Sequence, residues 1–220
     1  MRGTGARLGL LHIQKVMRGM HRRGVDLTEL RALEVFGYTG ERLAKYYAPR
    51  VRSLDVWELD PRFEPVLRRN VPSAAVKITD SYEEIKRTSK EFDLVVIDNF
   101  ITPREHFDLF PAVFRVLSDD ATVVMIVVPG DGKQSRSGQS NIFGAEHLQR
   151  RSDFYCTDSP GGIPLDELAA RYGSLAQQHG LVPEWHFFVP RSELKGVLPR
   201  KNGYYDLVLK LKRPAQAVRA

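Results

Sequence analysis

The sequence predicts an α/β fold: a doubly wound, mostly parallel sheet of seven strands with an antiparallel last strand and helices on both faces. Three observations predict it. Apolar runs of strand length alternate with helical segments five times between residues 31 and 128. The third to fifth of these runs are dense in apolar, often β-branched residues, as strands covered on both faces are. Beyond them, residues 182–189 and 204–211 read as two more strands with no helical pattern between them, which predicts an antiparallel hairpin.

The elements follow in order. Leu8, Leu11, Ile13, Val16, Met17 and Met20 recur at mostly helical spacing, so a helix runs from about Arg7 to Arg23 and Gly24 closes it. Asp26 is placed to cap a short turn through Leu30. The first strand is Ala32 to Phe36, and its helix spans about Glu41 to Ala48, stopping before Pro49. The second strand covers about Arg52 to Glu58. Asp60-Pro61 then joins an N-cap to a proline at the first helical position, and that helix ends near Asn70. The third strand, Ala75 to Thr79, is closed by Asp80 and followed by a helix over about Tyr82 to Lys90. The fourth, Asp93 to Ile97, ends in Asp98-Asn99 and leads to a helix over about Arg104 to Leu117. The fifth strand is Thr122 to Val128.

After Pro129 the alternation breaks. Residues 130–162 hold six glycines and five serines, too long a stretch for a simple connection. Residues 130–164 therefore read as a substrate loop or lid, with a short helix inside Asn141 to Phe154. A helix from about Leu165 to His179 ends at Gly180. All 220 residues read as one domain, with residues 1–30 as an N-terminal helical segment.

Composition narrows the class. A hydrophobic fraction of 42% and a charged fraction of 27% are ordinary for a globular protein. The one cysteine, Cys156, forbids an internal disulfide. The longest apolar run, Val123 to Val128, is too short to span a bilayer. No signal-peptide core is present at the start, because His12, Gln14 and Lys15 interrupt it. The reading is a cytoplasmic protein. The net charge of +6 fits an acidic substrate, a nucleic acid or a solvated arginine-rich surface. The pairs Arg22-Arg23, Arg68-Arg69, Arg150-Arg151 and Arg200-Lys201 are scattered, which favours the last.

The chemistry is carried by strand ends. The stretch from Arg31 to Gly40 is an apolar run with an acid, Glu34, then a turn bearing Gly37 and Gly40 before a helix. Strand, tight turn and helix present backbone N–H groups to a ligand. About 20 residues on, a second run ends in Glu58, the distance at which an acid takes both hydroxyls of a ribose. The spacing points to a nucleoside-bearing cofactor. No Gly-x-Gly-x-x-Gly follows the first strand, so a nicotinamide dinucleotide is disfavoured, and no P-loop is present.

Glu34 to Gly40, Val56 to Pro61, Ile78 to Asp80 and Phe92 to Asp98, in that order at strand ends, resemble the class I methyltransferases, which use S-adenosylmethionine and have a Rossmann-like fold. The matched motifs span about residues 31–128. The resemblance implies that Phe36, Gly37, Tyr38 and Gly40 pass under the methionine part of the cofactor, and that Glu34 orients its ammonium group. It implies that Glu58, with Leu59 beside it, takes the ribose. Asp80 would accept from the adenine amino group, with Ser81 or Tyr82 beside the ring. Asp98 and Asn99 would face the gap between cofactor and substrate. The family often has glycine where Tyr38 stands, so either the turn is built differently or Tyr38 shapes the pocket.

Methyl transfer to a hydroxyl requires a base. The candidates are Asp98 at a strand end, His106 early in the fourth helix, and His147 in the long loop. His179 beside a helix-ending glycine and His186 in a strand read as structural. Arg150, Arg151 and Tyr155 mix guanidinium and aromatic groups suited to a polar substrate. No metal site is expected: the pair Asp98-Asn99 follows strand four, whereas magnesium-dependent relatives of this fold place theirs after strand five. The Asn/Asp-Pro-Pro-aromatic motif of base methyltransferases is absent. The leading expectation is O-methylation of a small polar or sugar-containing molecule. An RNA methyltransferase and a Rossmann-like binding module without turnover are the alternatives. A small-molecule substrate is favoured over nucleic acid, no membrane is involved, and self-association is left open.

Overall fold

The computed structural model describes residues 5–41, 43–98, 105–129, 144–191 and 204–214, with side chains from residue 13 onward. Seven strands form one sheet in the order β3-β2-β1-β4-β5-β7-β6. They are β1 (Arg31–Glu34), β2 (Ser53–Glu58), β3 (Ala75–Ile78), β4 (Phe92–Ile97), β5 (Leu117–Val127), β6 (Val182–Pro190) and β7 (Tyr205–Lys212). Strands β1 to β5 pair in parallel, while β7 lies antiparallel between β5 and β6. The hairpin is therefore real, and its second strand is the inner one. The order reverses between β1 and β4. Such a reversal opens a crevice at the carboxyl ends of the strands, where ligands of open α/β sheets bind.

Alternating side chains split the core into two layers. Leu33, Val95, Val123 and Leu209 pack under α4 (Ser81–Arg87), α5 (Phe110–Arg115) and α7 (Leu165–Gln178). Ala32, Leu94, Val124 and Val208 pack under α1 (Gly5–His21), α2 (Ala44–Tyr47) and α3 (Glu64–Asn70). Burial on both faces is why these strands read as continuous apolar runs rather than as alternating ones.

Three boundaries differ from expectation. The helix expected over residues 104–117 is α5 alone, because Pro111 has no N–H to donate and fits the first turn, fixing the start near Phe110. Val116 ends that helix and Leu117 already pairs with Phe92, so β5 starts five residues earlier than expected. The helix after β1 starts at Ala44 and not at Glu41; it does stop before Pro49, which a separate 3₁₀ turn over Ala48–Arg50 carries near its start. Within the expected lid, residues 144–155 do hold a helix, α6 (Ala145–Tyr155). Residues 130–143 lie outside the described residues, as does Asn99. No helix among the described residues is long and apolar enough to cross a membrane.

Candidate active site at the carboxyl rim

The turn after β1 is built against the sheet. Val35 N–H bonds the Val96 carbonyl at 3.0 Å, and Gly37 N–H bonds the Trp57 carbonyl at 2.8 Å. A Cβ on Gly37 would lie 2.4 Å from Val56 Cγ1, and one on Gly40 would lie 2.6 Å from Val71 Cγ2. Both glycines are thus required by the protein's own packing, a different reason from the close approach to a cofactor expected of them. Gly40 takes a positive φ of 67°. Tyr38 does too, at 44°.

A left-handed tyrosine costs roughly 1–2 kcal/mol. Its N–H donates to Glu58 Oε2 at 2.5 Å, and its ring meets Phe63 edge-on at 4.5 Å. A bond to a carboxylate contributes about 1.5–3 kcal/mol, enough to offset the strain. The turn is therefore built without the expected glycine, on an anchor supplied by Glu58. The other Glu58 oxygen accepts from Asp60 N–H at 2.8 Å. Each oxygen keeps a second lone pair for a ligand hydroxyl. Leu59, next to it, is 67% exposed, an apolar side chain held out at the rim.

Glu34 is 4% exposed, and Tyr47 of α2 donates its hydroxyl to Oε2 at 2.6 Å. Burial first, and the nearby Asp98 carboxylate in addition, push Glu34 up to about 8, against the Tyr47 hydrogen bond. Asp98 itself accepts from Arg191 Nη1 at 2.9 Å, and Arg191 Nη2 reaches Asp206 at 2.5 Å. This is a buried acid–guanidinium–acid clamp between β4, β6 and β7. An oxygen that serves a guanidinium is poorly placed to take a substrate proton, so Asp98 fits a clamp better than a base.

Asp80 caps α4: its Oδ1 accepts from Tyr82 N–H at 2.8 Å, leaving Oδ2 for a ligand. Ser81 is buried and donates to the Val35 carbonyl, tying α4 to the turn rather than facing a ligand. Tyr82 Oη lies 2.5 Å from His106 Nδ1, and Phe36 stacks on His106 at 4.6 Å. Burial holds His106 down at about 4, so the imidazole is neutral at pH 7 and strongly resists a second proton.

Across the crevice, Glu105 organises α6. Arg151 Nη1 donates to Glu105 Oε2, Tyr155 Oη donates to Oε1 at 2.6 Å, and His147 Nε2 sits 3.4 Å from Oε2. Arg151 also bonds the carbonyls of Pro160 at 2.7 Å and Val128 at 2.9 Å. Arg151 is 0% exposed, and Tyr155 is buried against Tyr172. Neither faces a substrate as expected: both side chains spend their polar atoms pinning α6 to the end of β5. Arg150 is exposed, pairs with Asp108 at 2.6 Å and lies over the Phe107 ring. His147, also on α6, stacks on Phe107. Among the described residues no group of three or more His, Cys, Asp or Glu side chains is placed to hold a metal ion.

Tyr47, Glu105, Arg191 and Asp206 were not read from the sequence. Glu105 stands beside His106 and Arg191 follows Pro190, but nothing local says that either is enclosed.

Two solved structures share this fold over most of their length. M. jannaschii TYW2, in complex with AdoMet, is 11% identical with a TM-score of 0.56, and the match covers 97% of this chain and 78% of that one. N-methyltransferase NodS from Bradyrhizobium japonicum, in complex with S-adenosyl-L-homocysteine, is 13% identical with a TM-score of 0.55, covering 94% and 88%. The fold is that of the class I methyltransferases. No protein-family model matches the chain, and no curated protein matches it. Glu34, Glu58 and Asp98 stand at the carboxyl ends of β1, β2 and β4, beside the switch point between β1 and β4.

Proposed function

We propose that the protein is an S-adenosylmethionine-dependent methyltransferase acting on a hydroxyl of a small polar or sugar-containing molecule. One observation carries the cofactor: two enclosed carboxylates, Glu34 and Glu58, flank the Tyr38 turn at the topological switch point, and Glu34 has no cationic partner among the described residues. The donor set fits the molecule. Glu34 would face its positive group, Glu58 its ribose, Leu59 one face of its adenine and Asp80 Oδ2 the adenine amino group. Bound there, it supplies a methyl group on a good leaving group, so alignment does much of the work.

His147 fits the base best. Glu105 lies within 3.4 Å of its Nε2 and would stabilise the imidazolium formed when it takes a hydroxyl proton. Arg151 and Tyr155 hold Glu105 for that task. Arg150, over Phe107, is an exposed polar contact for the acceptor. Calorimetry with S-adenosylmethionine tests the cofactor, and methyl transfer to a panel of hydroxylated acceptors tests the reaction. No heat and no thermal stabilisation at millimolar cofactor would leave a binding module without this ligand.

RNA is the second reading. Lys15 and Arg18 on α1 and Arg22 just past its end are exposed and add to the net charge of +6. An RNA substrate requires binding that weakens steeply with added salt; a small-molecule enzyme requires little salt dependence.

A further inference from the structure

Among the described residues, buried acids outnumber cations at the middle of the carboxyl rim. Glu34 from β1, Asp98 at the end of β4 and Asp206 on β7 are all enclosed. Arg191, at the end of β6, answers Asp98 and Asp206. Glu34 is left with a neutral donor, the Tyr47 hydroxyl from α2, and Tyr47 is itself sealed in the core. The neighbours of Glu34 on the adjoining strands, Val56 of β2 and Val96 of β4, are apolar. An ionised carboxylate in such a place carries a heavy desolvation penalty, relieved by holding either a proton or a cation. The like charge of Asp98 deepens the penalty, and the Tyr47 hydrogen bond eases it.

We propose that Glu34 and Tyr47 form a proton-exchange receptor for a cationic ligand group. Glu34 is a carboxylic acid in the unliganded protein. When the cation arrives, the acid's O–H bond breaks, the proton passes to solvent, and Tyr47 holds the carboxylate through its hydroxyl. No other bond is made or broken, and the charge of the site is unchanged because the ligand's charge replaces the proton's. The device selects charge: an uncharged ligand of the same shape cannot displace the proton. This inference rests on the S-adenosylmethionine reading, whose ammonium and sulfonium groups are both cationic.

Two measurements test it. In the unliganded protein at pH 6.5, infrared spectroscopy should show a protonated carboxyl band that Glu34→Gln removes. Calorimetry of S-adenosylmethionine binding at pH 7, in buffers of different ionisation heat, should show release of about one proton by the wild type and almost none by Glu34→Gln. Affinity should rise up to about tenfold per pH unit between pH 6 and 7.5, and stay level in Glu34→Gln. Tyr47→Phe should move the midpoint of that rise to higher pH. S-adenosylhomocysteine keeps the ammonium and lacks the sulfonium: release of the same proton identifies the ammonium as the displacing group, and no release identifies the sulfonium. Binding of S-adenosylmethionine without proton release, or equal release by Glu34→Gln, overturns the receptor. Absence of the infrared band overturns it independently of any ligand. Failure of the wild type to bind S-adenosylmethionine while the band is present overturns the methyltransferase reading instead.

Discussion

The two walls of the crevice use buried glutamates in opposite ways. On the α6 wall Glu105 is saturated: a guanidinium, a phenol and an imidazole converge on its two oxygens. On the β1 wall Glu34 has, among the described residues, one neutral donor and another acid nearby. The first arrangement is complete as it stands and fixes a helix in place. The second has no cation among the described residues, which is why we assign it a positive ligand. Burial of an acid alone therefore does not mark a binding site; the inventory of its partners does.

The largest effect that would break this comparison is on stability. Arg151→Ala should strand Glu105 without its cation and cost about 3–5 kcal/mol, read by chemical denaturation. A loss below about 1 kcal/mol would mean that the α6 wall is not held this way. Next comes ligand affinity: Glu58→Ala should weaken S-adenosylmethionine binding by one to two orders of magnitude, roughly 1.4–2.8 kcal/mol, by calorimetry. Unchanged affinity would put the ribose elsewhere. His147→Ala should lower kcat by roughly 10²-fold or more while sparing cofactor affinity, and an unaltered rate removes it as the base.

The pH dependence of folding sharpens the contrast further. Glu34 has a folded pKa raised from 4.5 to about 8. It binds the extra proton in the native state, so its contribution is full below pH 4.5 and is lost as pH rises through about 8. Over that window it lowers stability by at most about 1.4 kcal/mol per pH unit. His106, lowered from 6.5 to about 4, acts in the opposite sense: its contribution is present above pH 6.5 and lost as pH falls through 4. Above pH 6.5 the Glu34 slope stands alone, and Glu34→Gln should flatten the wild-type slope between pH 6.5 and 8. The smallest effect is at the turn. Tyr38→Gly relieves the left-handed strain but forfeits the ring contact with Phe63, two terms of about 1 kcal/mol each, so stability should change by less than about 1 kcal/mol.

What the sequence revealed was what neighbours along the chain decide. Apolar runs ending in Glu34 and Glu58 reported both the strands and the acids at their ends, because strand period and strand end are local properties. Asp26 and Asp60 were legible as caps for the same reason, and both accept from a backbone N–H two residues on. The burial of Arg151 and the clamp on Asp98 were missed because their partners are distant: Glu105 is 46 residues from Arg151, and Arg191 is 93 from Asp98. A guanidinium next to a loop looks the same in sequence whether it meets a substrate or a buried acid. Tyr47 was hidden by its twin, since nothing local separates the enclosed Tyr47 from the half-buried Tyr46.

The fan of bonds from Arg151 has a further consequence. One guanidinium grips Val128 ahead of the glycine-rich stretch and Pro160 beyond it, so both flanks are stapled to a common post. Insertions between residues 129 and 144 should then leave the scaffold's geometry in place, since doubling the length of a connection costs only about 0.6 kcal/mol. If residues 130–164 are the substrate loop proposed for them, grafting that interval from a homologue should change which acceptor is used and leave the melting temperature in place.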